Sequence, residues 1–106
     1  MTDMKYYVVY SKTIPNGEIA DDLIICYTMA MADRHLVQLT EMYQKMPAVK
    51  SGLEKHGIVI ASGENEGVLE DLEYIIERGI HCRYSMFQAL VRSRKLKVEK
   101  IMHVYA

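Results

Sequence analysis

The chain has 106 residues, half of them hydrophobic and a quarter charged, with a net charge of -1 and two cysteines. That length holds one core of ordinary globular composition; two cores would each be too small to persist without disulfides or metals. The near-neutral charge gives no global attraction to nucleic acid or membrane, and no apolar run approaches the ~18 residues that a membrane span needs.

Cys26 and Cys82 are far apart, and no CxxC or Cys/His cluster has metal-ligand spacing. The opening MTDMKYYVVY lacks a basic segment followed by a long apolar run, so no signal peptide is expected. A reducing, cytoplasmic setting is the expectation.

Residues 5–11, KYYVVYS, are aromatic and β-branched, with Tyr6, Val8 and Tyr10 on one face and Tyr7 and Val9 on the other. Both faces are apolar, which predicts a strand covered on both sides. Pro15-Asn16-Gly17 follows as a turn signal. Over 18–46, Ile19, Leu23, Tyr27, Ala30 and Met31 recur at helical spacing, as do Leu36, Leu39, Met42, Tyr43 and Met46. This predicts one long helix, or two that break near Asp33. The rival reading makes Leu23–Met29 a strand, because LIICYT holds β-prone residues. Pro47 suits the first turn of a short helix over 47–56, stopped by Gly57.

GIVIAS, 57–62, is a continuous apolar run of the kind a buried parallel strand shows, and GENEG after it is a loop. Val68, Leu69, Leu72, Ile75 and Ile76 form one stripe, predicting a helix over 66–78 that Gly79 ends. IHCRYS, 80–85, is expected as a strand, Met86–Lys95 as a helix with Phe87, Leu90 and Val91 inward, and 97–105 as the last strand. The resulting order, βαβαβαβ, implies right-handed parallel crossovers. The expected fold is an α/β three-layer sandwich with a mainly parallel four-stranded sheet. Strands 5–11 and 57–62 should be central, and at least one of the last two an edge.

Ligands of open parallel sheets collect at the carboxyl ends of the strands. There the sequence offers Ser11, Lys12 and Thr13 after the first strand, Ser62-Gly63-Glu64-Asn65-Glu66-Gly67 after the second, and Ser85 after the third. The candidate ligand-binding residues are therefore Ser11, Lys12, Ser62, Gly63, Asn65 and Ser85. SGENEG matches neither GxGxxG nor the P-loop, and Glu64 and Glu66 already complement a helix N-terminus, so a capped turn outweighs an anion site. No cofactor is expected. His81 and His103 could pair, but no third ligand is visible, so no metal is expected either.

Charge is segregated. Glu64, Glu66, Glu70, Asp71, Glu73 and Glu77 run without a base among them, and Arg83, Arg92, Arg94, Lys95, Lys97 and Lys100 are opposed only by Glu99. Solvated helix faces are the plain reading. A self-complementary surface between subunits is another. RNA contact through the basic segment is the weakest, since aromatics are not interleaved with it. Eight tyrosines and eight methionines leave large side chains near the surface and favour a homo-oligomer.

From about 57 to 96, the helix ending DLEYIIERGI, a short strand and the basic ALVRSRKL resemble the DsrE/DsrF-like sulfur-relay family, and the NifX-like fold shows a comparable pattern. The resemblance implies a flavodoxin-like sandwich, often oligomeric, with a persulfide-carrying cysteine in the loop just after a strand. Here that loop begins near Ser85, and Cys82 lies inside the expected strand. Two functions follow. One is a non-catalytic oligomeric protein binding a partner or small molecule at the carboxyl edge of its sheet. The other is a sulfur carrier or enzyme with Cys82 as its catalytic thiol, which needs exposure and a lowered pKa. Free cysteine is more often a buried packing residue.

Overall fold

The computed structural model describes residues 5–13, 20–45, 56–79 and 83–104. Strand β1 (Tyr6–Thr13) and strand β2 (Ala20–Cys26) come first, then helix α1 (Met29–Gln44). Strand β3 (His56–Gly63), helix α2 (Glu66–Arg78), helix α3 (Arg83–Arg92) and strand β4 (Lys97–Val104) follow. The sheet has the order β2-β1-β3-β4, and every neighbouring pair is antiparallel.

The mainly parallel βαβαβαβ sandwich is thus overturned at two places. The first is the segment 18–46, expected as one long helix or two, where the rival reading of Leu23–Met29 as a strand holds over 23–26. Ala20–Cys26 is a strand paired with β1, so no crossover helix separates the first two strands. Its helical spacing was a coincidence of a two-sided strand. Leu23 packs into the core on one face of the sheet, and Cys26 into the core on the other. Helix α1 starts only where Thr28 caps it, accepting from the Met31 N–H at 3.1 Å. The second is 80–85, expected as a strand. Residues 83–85 belong to α3, where Met, Gln, Ala and Leu carry helix propensity. Helices α2 and α3 together return the chain to an antiparallel neighbour of β3. The turn at 15–17 and most of the short helix at 47–56 lie outside the described residues; His56 opens β3.

Strands β1 and β3 are central, as their apolar faces require, and β4 is an edge. Tyr6, Val8 and Tyr10 face α2 and α3 with Ala61, Leu69, Leu72, Ile75 and Phe87. The Tyr10 and Phe87 rings stack with centroids 4.7 Å apart. Val9, Ile58, Ile60 and Cys26 face α1 through Ala32, Leu36 and Tyr43. Helix α2 matches its expected bounds. Asn65 caps it, and Gly79 ends it at φ 62° in the left-handed region that glycine enters without strain. Among the described residues, no helix is long and apolar enough to cross a membrane.

The β3–β4 ladder is irregular. Ile60 pairs with Lys100 but Ala61 pairs with Val98, leaving Glu99 as an extra residue in β4, a bulge.

Candidate functional site

An antiparallel sheet has no single carboxyl edge. The β1–β3 register pairs Tyr6 with Gly63 and Thr13 with His56, so the ends of β1 and β3 lie at opposite ends of the sheet. The expected convergence of Ser11, Lys12, Ser62, Gly63, Asn65 and Ser85 therefore does not occur. Ser11 is buried on the α1 side, where the Tyr43 hydroxyl donates to its Oγ at 3.0 Å. Lys12 stands on β1 opposite Gly57 and Asp21. Ser85 is exposed on α3. Cys82 and His81 lie outside the described residues. Cys26 is buried, and burial pushes its thiol pKa up, the reverse of an activated nucleophile.

Ser62, Gly63 and Asn65 do come together, at the corner where β3 turns into α2. They line a cleft of about 500 Å³ with Lys5, Glu64, Arg94, Lys95, Lys97 and Glu99. The corner is tightly built. The Tyr6 hydroxyl donates to the Asn65 carbonyl at 2.8 Å, and the Asn65 side chain accepts from the Val68 N–H at 3.1 Å. The opposite wall comes from the α3–β4 turn. There Arg94 holds a φ of 62°, the one positive-φ non-glycine among the described residues. Its N–H donates to the Val91 carbonyl, and Lys95 and Leu96 N–H groups both donate to Leu90. This is a helix C-terminal turn of the kind glycine usually makes. Buried Leu96 anchors it. An arginine in that conformation costs roughly 1–2 kcal/mol, and strain of this kind clusters at functional sites.

The bulge brings Glu99 to Ser62, whose hydroxyl donates to the carboxylate at 2.6 Å. That hydrogen bond, helped by the charges of Lys97 and Lys5, holds the Glu99 carboxyl below its usual range despite some desolvation. The Lys5 ammonium sits 5.6 Å from the centroid of the Tyr7 ring. Four cations and two carboxylates share the cleft, and one carboxylate is already engaged.

Lys5, Arg94, Lys95, Lys97 and Glu99 were not among the sequence candidates. The run of bases after residue 92 is the signal for Arg94, Lys95 and Lys97, but its docking against the β3–α2 corner depends on β4 pairing with β3. Among the described residues, no group of three or more His, Cys, Asp and Glu side chains could hold a metal ion.

No family model matches this chain, and comparison with curated proteins and with solved structures finds no match either. The likeness to the DsrE/DsrF-like family therefore rests on the sequence pattern alone. The parallel flavodoxin-like sheet it implies is replaced by the antiparallel one.

Proposed function

We propose that the protein is a non-catalytic binding module for a small polyanion, of the phosphate or pyrophosphate class, held in the cleft between the β3–α2 corner and the α3–β4 turn. The observation that carries this reading is the gathering of Lys5, Arg94, Lys95 and Lys97 around one polar cleft. Glu99 is turned toward Ser62 by the bulge, leaving Glu64 as the other lining carboxylate. The glutamates of the loop argued against an anion when that loop stood alone. The bases from the α3–β4 turn reverse the local balance.

Calorimetric titration with pyrophosphate at low ionic strength tests the proposal. Saturable binding that weakens with added salt is expected. Lys97→Ala should lower the affinity about tenfold, the loss of one charge-assisted hydrogen bond. Absence of binding at millimolar pyrophosphate in low salt would refute the reading. So would binding that both Lys97→Ala and Lys5→Ala leave unchanged.

A further inference from the structure

The two edges of the sheet are unlike. At the β2 edge, an apolar groove of about 400 Å³ runs between β2 and α2, lined by Leu23, Ile24, Ile25, Tyr27 and Ile76, with the carboxylates of Glu73 and Glu77 on it. At the β4 edge, a second apolar groove of about 220 Å³ lies between α3 and β4, lined by Val59, Phe87, Val91, Val98 and Ile101, with Arg92 on it. Tyr27 and Ile101 are each 55% exposed. One groove is apolar with acids, the other apolar with a base.

We propose that these grooves are the two halves of one interface, and that the protein associates head to tail, the β4–α3 edge of one copy against the β2–α2 edge of a second copy. Charge complementarity selects the occupant. A two-fold contact between β4 edges would put two copies of Arg92 and no groove acid in the interface, and one between β2 edges would put in both copies of Glu73 and Glu77 and no groove base. Only the unlike pairing sets Arg92 against those acids and covers Ile101 and Tyr27 together. The contact is made by side chains. At β2 the Leu23 N–H is already taken by the Asp22 carboxylate at 2.9 Å, which leaves one donor fewer for strand addition. A contact of unlike patches leaves one of each open at the ends, so assembly proceeds past the dimer to short rods or closes into a ring.

The test is sedimentation velocity of the wild-type chain over a concentration series, with two edge variants. Ile101→Asp puts an acid where it meets Glu73 and Glu77, and Tyr27→Lys puts a base where it meets Arg92. Both positions are exposed, and circular dichroism checks that each variant is folded. Wild type is expected to form species larger than a dimer as concentration rises. Each variant alone should lose association, and their equimolar mixture should regain it, because each supplies the edge the other retains. A wild-type chain that stays monomeric at high concentration overturns the proposal. So does association that Tyr27→Lys leaves intact, as a β4–β4 contact would show, or a mixture that stays monomeric.

Discussion

Gly63 was a binding candidate by sequence, and its surroundings give it a different task. A Cβ at this position would stand 2.7 Å from the Tyr6 hydroxyl oxygen and 2.8 Å from Cε2 and Cζ of the same ring. That ring is fully buried, and its hydroxyl is tied to the Asn65 carbonyl. It cannot swing out of the way as a surface side chain would. Gly63→Ala must displace it, at about 1–3 kcal/mol for overpacking a filled core. Loss of the Tyr6–Asn65 hydrogen bond adds about 0.5–1.5 kcal/mol. The lower chain entropy of alanine in the unfolded state returns about 0.4–1 kcal/mol. The net expectation is a destabilisation of about 2 kcal/mol, or a fall in Tm on the order of 10 °C for a domain of this size. Urea unfolding followed by circular dichroism measures it. The diagnostic is a double-mutant cycle with Tyr6→Leu, which removes the ring and should abolish most of the alanine's cost. Tyr6→Phe keeps the carbon contacts and should relieve little. A Gly63→Ala variant as stable as wild type, or one whose cost is the same in the Tyr6→Leu background, refutes the reasoning.

Arg94→Gly should raise stability by about 1 kcal/mol by relieving the left-handed backbone, while weakening pyrophosphate binding; a variant that is destabilised would show that the turn needs the arginine side chain. Glu99 titrates below the ordinary glutamate range in the fold, so its contribution to stability is present above that range and is lost as pH falls through the depressed value. Ser62→Ala removes the main cause of the depression and should move the Glu99 carboxyl titration upward, as followed by NMR; an unchanged titration would assign the effect to the lysines alone. Leu72→Ala empties a fully buried position between α2 and the sheet, and is expected to cost about 2–5 kcal/mol in chemical denaturation; a loss under 1 kcal/mol (roughly one buried CH₂) would mean that α2 is not seated as described.

What was legible depended on whether an element carried its own boundary signals. Helix α2 has an asparagine cap, a clean apolar stripe and a stopping glycine, and it forms where they say. Strands β1 and β3 are apolar on both faces, which fits only a central position. Strand β2 failed because Ile19, Leu23 and Tyr27 mimic a helical stripe, while the antiparallel pairing of β2 with β1 is a non-local fact. The beginning of α3 failed because Cys82, Tyr84 and the alternation around them imitate a strand. Half of the cleft could be read, since Ser62, Gly63 and Asn65 are adjacent in sequence. The other half comes from the α3–β4 turn, which reaches them only because β4 pairs antiparallel with β3, a non-local fact.

The bulge at Glu99 has a consequence for changes in chain length. Because Val98 and Lys100 pair with adjacent residues of β3, β4 carries one residue more than its ladder uses. Losing Glu99 would leave the pairings on either side in place and convert the irregular strand into a regular one. Losing Lys100 or Val98 instead would offer the ladder a choice between consuming the spare residue and slipping by one, which would turn the rest of the strand inside out. The same spare residue that lines the cleft thus acts as slack in the edge strand, so loss of Glu99 itself is felt by the site before the core.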